Sequence, residues 1–286
     1  TSGHPVYNVN NRIECTTGPL GQGIGNAVGM AMAGKFLANK FSSKKVDLFD
    51  YNVYAFCGDG DLMEGVSYEA LSLAGKYNLD NLILLYDDNH VSLDGEVSEI
   101  EENGFIGMLE SFGFEVIDGV DGENVKDINR AINKAKKSDS PSVIVFDTTI
   151  GKYSKYEGTN RIHGSLEEED YKLIKESLES EGSFSFDKVN MALYRQFVKE
   201  RCDSLYDDWN KDYEEYIKSV SKEKANELNL IINGEDINLR LDSVIDTDKL
   251  FVDKTLRDIN YQVMNVISTF VPNFLCGNAD VSNSTK

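Results

Sequence analysis

Two short polar clusters follow apolar runs in the first half of the sequence. Gly-Asp-Gly (58–60) comes directly after VYAFC (53–57), and Asp-Asn (88–89) comes directly after LILLYD (82–87). Glycine lets a backbone approach a ligand closely, and Asp and Asn supply the hard oxygen atoms that Mg²⁺ binds in proteins. The two clusters therefore predict the two halves of one site, although Gly and Asp are also common in ordinary turns.

The segment between the clusters predicts what else this site holds. Residues 61–87 contain a helical pattern followed by a strand pattern, and we expect the helix to begin near Met63 and Glu64. The N-terminal amides of such a helix attract an anion. Mg²⁺ together with a diphosphate is the ligand pair that these features favour.

Alternating strand and helix patterns predict how these residues are positioned. Near-continuous apolar strands that alternate with helices are typical of an α/β fold, with a parallel sheet covered by helices on both faces. Ligands bind such sheets where the strands end. The predicted strands are 53–57, 82–87, 114–118 and 142–148, with helical segments between them.

The sequence predicts three regions. Residues 1–180 carry the α/β pattern, 181–248 form a charged helical connection, and 249–286 begin a second α/β domain with a helix and a strand at NFLC. The opening TSGHPVYNVNN and the closing LCGNADVSNSTK both resemble internal segments. We therefore expect a fragment, or a chain whose native termini are missing.

Composition excludes several classes of partner. A net charge of −20 disfavours nucleic acid, and no apolar run approaches the ~20 residues that a membrane helix needs. The four cysteines are scattered without a CxxC pair, which argues against a disulfide framework and suits a reducing compartment. We expect a cytoplasmic protein with no membrane or nucleic-acid partner.

The spacing of the two clusters resembles the fingerprint of thiamine diphosphate-dependent enzymes, in which Gly-Asp-Gly is followed after such an interval by Asn-Asn. By this resemblance, Asp59, Asn89 and the backbone carbonyl of Val91 bind Mg²⁺, with Ca²⁺ and Mn²⁺ as substitutes. Gly58 and Gly60 then belong to the cofactor site. The sequence departs from the fingerprint at position 88, where Asp replaces the first Asn.

Three further segments resemble the transketolase family. ECTTGPLGQGIGNAVGMAMAGKF (14–36) is similar to the family's signature, which implies that Gly18 and Leu20 line the pocket of the aminopyrimidine ring. GHP (3–5) implies that His4 faces the substrate, and TIGKYSKYEGTNRIHGSL (149–166) implies that His163 lies near the diphosphate and the sugar. The two histidines would supply proton transfer, although a lone histidine is usually structural.

The resemblance extends to the end of the chain. CGNADVSNS (276–284) is similar to the opening of the family's pyrimidine-binding domain, which implies that Asp280 contacts the cofactor and that Ser284 binds the sugar phosphate. Arg257 stands at the position of a phosphate-binding arginine, although Leu256 precedes it where Thr is usual.

The same resemblance assigns further residues to the cofactor and the subunit interface. Leu93 and Ile150 match apolar residues that pack on the cofactor, although ordinary core packing explains them equally well. Glu64 and Glu69 match acids that link the two cofactor sites of a homodimer, although both are also compatible with a solvated helix surface. His90 matches no motif, and we interpret it as incidental.

The resemblance implies thiamine diphosphate and Mg²⁺ as cofactors and sugar phosphates as substrates. A two-carbon ketol unit would pass from a ketose phosphate, such as xylulose 5-phosphate, to an aldose phosphate in the pentose phosphate pathway. The family's activating Glu lies beyond this chain, so we expect the 286 residues alone to be inactive. Dihydroxyacetone synthase, deoxyxylulose phosphate synthase and a non-catalytic cofactor-binding protein remain alternatives.

Overall fold

The computed structural model describes residues 4–43, 46–101, 104–180, 186–233, 253–278 and 281–282. The chain divides into two compact units, residues 1–207 and residues 208–286. This boundary falls within the predicted helical connection, and the three predicted regions remain predictions.

The first unit contains a four-stranded parallel sheet. Its strands occur in the spatial order β1-β2-β4-β3, and each pairs in parallel with its neighbours. The elements are α1 (Gln22–Phe41), β1 (Val53–Gly58), α2 (Asp59–Leu62), α3 (Gly65–Lys76), β2 (Leu82–Asp88), α4 (Ile106–Ser111), β3 (Glu115–Asp121), α5 (Val125–Ala135), β4 (Ser142–Asp147) and α6 (Glu168–Ser177).

The pairing register places the carboxyl ends of three strands at one edge of the sheet. Gly58 of β1 lies opposite Asp87 of β2, and Asp88 lies opposite Asp147 of β4. The two polar clusters of the sequence therefore leave the sheet side by side. The predicted α/β fold with a parallel sheet is confirmed.

Helices cover the two faces of the sheet unequally. On one face, α1, α3 and α4 pack against alternate residues of β2 and β4. On the other face, among the described residues, α5 packs against the remaining residues of β2, β3 and β4. Tyr54 and Phe56 of β1 point to this second face and are 43% and 81% exposed.

Residues 186–233 and 253–278 also contain α7 (Lys188–Ser219), α8 (Lys222–Asn233) and α9 (Leu256–Phe270). In the second unit, Tyr216 and Leu228 are buried, and the hydroxyl of Tyr213 donates a hydrogen bond to Asn229 across α7 and α8. The predicted helix before residue 271 is present as α9. Its Thr255 cap accepts a hydrogen bond from the amide of Asp258.

Two local predictions were wrong, and one short helix was not predicted. The helix predicted to begin near Met63 and Glu64 is present as α3, with Glu64 as its N-cap, but the additional short helix α2 forms directly after Gly58. The third strand begins at Glu115 and continues to Asp121. The strand predicted at NFLC is irregular, because a parallel strand requires a partner and the described part of the second unit provides no strand.

Candidate functional site

A cavity of about 700 Å³ opens at the carboxyl ends of β1, β2 and β4. The three predicted metal ligands, Asp59, Asn89 and Val91, all line it. Tyr86, Thr148 and Gly158 line it as well, although no motif in the sequence singles them out. The structure therefore brings together the residues that the fingerprint places 30 positions apart in the chain.

Asp59 is a buried carboxylate with one unused oxygen. Its side chain is 3% exposed, and its Oδ1 accepts a hydrogen bond of 2.5 Å from the hydroxyl of Tyr86. Within the described part of the chain, its Oδ2 is buried without a hydrogen-bond partner. A buried polar atom of this kind is costly unless a ligand satisfies it, so Asp59 fits a cation in this cavity.

Electrostatic surroundings support the same interpretation. Burial raises the pKa of Asp59, while the hydrogen bond from Tyr86 lowers it and the nearby Asp88 raises it. Burial likewise raises the pKa of Asp88, and the ring of His90 lowers it. A divalent cation would relieve the cost of ionising the buried Asp59 beside the half-buried Asp88.

His90 contacts a residue of the candidate site, although the sequence gives it no role. It adopts a left-handed backbone conformation with a φ of 62°, and its Nδ1 lies 2.9 Å from Oδ1 of Asp88. The ring lines the cavity but is 70% exposed. The sequence does not predict its contact with Asp88, because no family motif singles out position 90.

A second cleft, of about 430 Å³, is lined by Gly18 and Leu20, the two residues predicted for the aminopyrimidine pocket. His4, which is predicted to face the substrate, and Asp61 line the same cleft. The ring of His4 packs so closely on Gly18 that a β-carbon there would lie 3.1 Å from His4 Cγ. A β-carbon on Gly60 would lie 3.2 Å from Leu20 Cδ1, so this loop touches the Gly-Asp-Gly turn.

Asp61 connects the loop of Gly18 and Leu20 to the Gly-Asp-Gly turn by hydrogen bonds. Its Oδ1 accepts a hydrogen bond of 2.9 Å from the amide of Gly21, and its Oδ2 accepts one of 3.1 Å from the amide of Gly58. The second bond also explains the short helix α2, because Asp61 caps the first turn. Nothing in the sequence indicates this role of Asp61, since no spacing rule relates positions 21 and 61.

The loop that carries His163 is fixed by its other residues. The amide of Gly158 donates to the carbonyl of Ile150, and Nδ2 of Asn160 donates to the carbonyl of Asp94. His163 follows a short 3-10 helix and is exposed, and Ile150 is half-buried. This side of the cavity is lined by Thr148, Thr149 and Gly158.

Other predicted residues lie outside the cavity lining. Leu93 is 68% exposed, and neither it nor Ile150 lines the cavity. Glu64 and Glu69 are exposed, and Glu64 lines a separate cleft of about 710 Å³. Arg257 is exposed in the first turn of α9. Asp280 and Ser284 lie outside the described residues.

The described ranges were not found to contain a carboxylate, cysteine or histidine metal cluster or a membrane-spanning helix. In the described ranges, no group of three or more His, Cys, Asp and Glu side chains is arranged to hold a metal. The predicted ligand set differs from such groups, because it combines one carboxylate, one amide and one backbone carbonyl. No helix in the described ranges is both long and apolar enough to cross a membrane.

We expect Tyr86→Phe to destabilise the metal-free protein. The substitution removes the hydrogen bond from the hydroxyl of Tyr86 to Oδ1 of the buried Asp59 carboxylate, and a hydrogen bond to a charged group contributes about 1.5–3 kcal/mol. Chemical denaturation at neutral pH should show a loss of about 2 kcal/mol in unfolding free energy. Tyr54→Phe, at a half-exposed tyrosine of β1, is the control, and an equal loss in both variants would contradict the prediction.

Comparison with known proteins identifies the family. Residues 1–236 match the family model described as "Transketolase, thiamine diphosphate binding domain". The transketolases of Halalkalibacterium halodurans and Aquifex aeolicus are each 37% identical over the whole chain, which spans 43% and 41% of their lengths. The chain is thus less than half as long as these curated relatives.

Solved structures agree with the sequence match. A transketolase from Leishmania mexicana is 32% identical with a TM-score of 0.87, over 100% of this chain and 42% of that one. A mutant transketolase from Pichia stipitis, in complex with xylulose 5-phosphate, is 33% identical with a TM-score of 0.81, over 94% of this chain and 40% of that one. The chain therefore belongs to the transketolase family and carries its thiamine diphosphate-binding domain.

Proposed function

We propose that this chain forms the metal- and diphosphate-binding part of a transketolase. The enzyme would transfer a two-carbon ketol unit from a ketose phosphate, such as xylulose 5-phosphate, to an aldose phosphate. The observation that carries the proposal is the buried Asp59 carboxylate, whose Oδ2 has no partner among the described residues and which shares a cavity with Asn89 and Val91. The whole-chain match to transketolases supports the choice of reaction.

The proposed cofactors are Mg²⁺ and thiamine diphosphate. Asp59, Asn89 and the carbonyl of Val91 would hold the cation, which Ca²⁺ or Mn²⁺ could replace. Diphosphate oxygens would complete the coordination, since Mg²⁺ is usually shared between protein carboxylates and substrate phosphates. Gly58 and Gly60 would admit the diphosphate beside the backbone.

Other residues of the chain would orient the cofactor and the sugar. Leu20 and Gly18 would contact the aminopyrimidine ring of the cofactor. Asp61 holds their loop beside the Gly-Asp-Gly turn through its hydrogen bonds. Thiamine diphosphate would supply the carbanion chemistry of ketol transfer when bound, and the protein would bind and orient it. His4 and His163 would accept and return protons at the donor hydroxyls.

We also propose the setting of this activity. The enzyme would act as a cytoplasmic homodimer in the pentose phosphate pathway, with the cofactor at the subunit interface and Glu64 and Glu69 close to it. Leu93, Ile150 and Asp280 would pack on the cofactor, and Arg257 and Ser284 would bind the sugar phosphate. Because the chain is shorter than its relatives, turnover is proposed for the full open reading frame and is not expected of the 286 residues alone.

Two measurements test this function on the full open reading frame. Calorimetry should show that thiamine diphosphate binds only when Mg²⁺ is present. An assay with xylulose 5-phosphate and ribose 5-phosphate should show ketol transfer. Metal-dependent binding without turnover would favour a non-catalytic protein, and formaldehyde as the better acceptor would favour a dihydroxyacetone synthase.

We expect Arg257→Ala to weaken the use of phosphorylated donors selectively. A guanidinium group contacts phosphate oxygens in a bidentate manner, and Arg257 is exposed in the first turn of α9. The Michaelis constant for xylulose 5-phosphate should rise about 10-fold or more, which corresponds to about 1.4 kcal/mol. That for the unphosphorylated donor hydroxypyruvate should change little.

Two variants control this measurement. Arg257→Lys keeps the charge but loses the bidentate contact, and it should show an intermediate effect. Arg201→Ala removes an exposed arginine of α7 and should leave both Michaelis constants unchanged. Equal losses for the two donors in Arg257→Ala would assign this residue a structural role.

A further inference from the structure

The side-chain amide of Asn89 is fixed at both ends. Its Nδ2 donates a hydrogen bond of 3.1 Å to Oδ2 of Asp87, and its Oδ1 accepts one of 3.1 Å from the amide of Val91. Rotating the amide by half a turn would place its oxygen against a carboxylate and its NH₂ against an N–H group. Both contacts would be repulsive, so the hydrogen-bond network determines which end is the oxygen.

Asp87 accepts a second hydrogen bond from a residue just after β4. The hydroxyl of Thr148, which follows β4, donates a hydrogen bond of 2.5 Å to Oδ1 of Asp87. An ionised carboxylate only accepts hydrogen bonds, and here each oxygen has a donor of its own. Asp87 therefore presents an acceptor to Asn89 and cannot present a donor.

Asp87 stands behind the cavity rather than in it. Successive residues of a strand face opposite sides of the sheet, and Tyr86 and Asp88 line the cavity that contains Asn89. Asp87 instead lines a neighbouring cleft of about 550 Å³, beside Leu85 and Phe146. Its position suits a residue that acts on the cation through Asn89 without contacting the cation itself.

We propose that Asp87, held by Thr148, is a positioning residue that turns the amide oxygen of Asn89 toward the metal ion. This inference rests on the proposed function, since it presupposes a cation at Asp59 and Asn89. The amide of Val91 occupies one lone pair of Asn89 Oδ1 and leaves the other for the cation. The bond from Nδ2 to a carboxylate also polarises the amide and strengthens its oxygen as a ligand.

Four substitutions separate the parts of this arrangement. Asp87→Ala removes the acceptor, and Asp87→Asn replaces it with an amide that can donate or accept, so both orientations of Asn89 become accessible. Thr148→Val removes the anchoring hydroxyl, while Thr148→Ser retains it. Loss of a residue that supports a metal ligand typically costs about 10–100-fold in metal affinity.

A matched control removes the same charge without the same contact. Asp118 contributes to the electrostatic field at Asp88, and its side chain accepts a bond from the amide of Gly119 rather than from Asn89. Asp118→Asn therefore reduces the negative charge near the site and leaves the orientation of Asn89 unchanged. Its affinity for the cation should fall much less than that of Asp87→Asn, because only a more distant charge is lost.

The test is Mn²⁺ binding, followed by electron paramagnetic resonance at a saturating concentration of thiamine diphosphate, with the full open reading frame. Mn²⁺ affinity should fall about 10-fold in Asp87→Asn and up to about 100-fold in Asp87→Ala. Thr148→Val should weaken binding less than Asp87→Ala, and Thr148→Ser should bind normally. At saturating metal, the rate of ketol transfer by Asp87→Asn should return toward that of the wild type.

Other outcomes would contradict either this inference or the proposed function. If Asp87→Asn binds Mn²⁺ as well as the wild type, or if Asp118→Asn weakens binding equally, the inference is overturned. A rate in Asp87→Asn that excess metal does not restore would also overturn it, because it would indicate general structural damage. If Asp87→Ala does not fold, Asp87→Asn decides. If the wild type binds no Mn²⁺, the proposed function itself fails.

Discussion

Asp59→Asn should abolish metal-dependent binding of thiamine diphosphate and yet stabilise the metal-free protein. The side chain is 3% exposed, and its Oδ2 has no partner within the described ranges. Removing a charged ligand of Mg²⁺ should weaken cofactor binding by about 100-fold or more, which corresponds to about 2.7 kcal/mol. The neutral amide keeps an acceptor for the hydroxyl of Tyr86 and avoids the cost of burying a charge.

The stability effect should depend on pH. Burial raises the pKa of Asp59, so the wild-type carboxyl group favours folding at acid pH and disfavours it once the pH rises above its folded-state pKa. The advantage of the Asn variant should therefore be largest near neutral pH and should shrink as the solution becomes acidic. We expect a gain of about 1 kcal/mol at neutral pH, or about 2–4 °C in melting temperature.

The measurement compares thermal melting with and without Mg²⁺ and thiamine diphosphate. Ligands should raise the melting temperature of the wild type and leave that of Asp59→Asn unchanged. Asp121→Asn alters an exposed carboxylate at the last residue of β3, which accepts a hydrogen bond from the amide of Glu123, so it should behave like the wild type. A variant that melts lower than the wild type without ligands, or that still binds the cofactor normally, would refute this account of Asp59.

The sequence was sufficient to predict the sheet and its polar edge. Apolar runs at β1, β2 and β4 alternate with helical patterns, which fixes a parallel arrangement and places the strand ends together. Asp59 and Asn89 immediately follow two of these runs, and both line the cavity. These predictions depended only on local pattern and on the rule that neighbouring parallel strands end at the same edge.

The residues that orient the predicted ligands could not be read from the sequence. Asp61 contacts Gly21 across 40 positions, and Thr148 contacts Asp87 across 61 positions. Such contacts depend on how helices and loops pack, and no periodicity or turn rule encodes them. Tyr86 is part of an apolar strand pattern, which gives no indication that its hydroxyl reaches Asp59.

The local differences from the prediction have a related cause. Helix α3 begins where the sequence predicts it, but the side chain of Asp61 accepts a hydrogen bond from the amide of Gly58, and the short helix α2 forms before α3. The strand predicted at NFLC has a suitable composition, but strand formation depends on a neighbouring strand. In both places, a contact or its absence decided the structure, rather than the local propensity.

His163→Ala should lower the rate of ketol transfer strongly and leave the fold unchanged. His163 is exposed, and the hydrogen bond that holds it in the loop runs from its backbone amide to the carbonyl of Asn160. Alanine retains this bond. Loss of a proton-transfer group typically costs about 10²–10⁴-fold in rate, so kcat should fall within this range.

A neighbouring substitution separates this effect from structural damage. Ile162 is buried, and its side chain packs so tightly on Gly151 that a β-carbon there would lie 2.4 Å from Ile162 Cγ1. Ile162→Ala should cost about 2–4 kcal/mol of stability through the cavity that it creates. His163→Ala should melt like the wild type, because it empties no buried space.

The decisive comparison is between turnover and cofactor binding in the two variants of this loop. His163→Ala should retain Mn²⁺ binding, since Asp59, Asn89 and Val91 are untouched, and should lose rate even at saturating cofactor and substrate. Ile162→Ala should lose melting temperature, with any loss of rate following from the disordered loop. A stable His163→Ala protein with normal kcat would remove this histidine from the proposed mechanism and leave His4 as the remaining candidate for proton transfer.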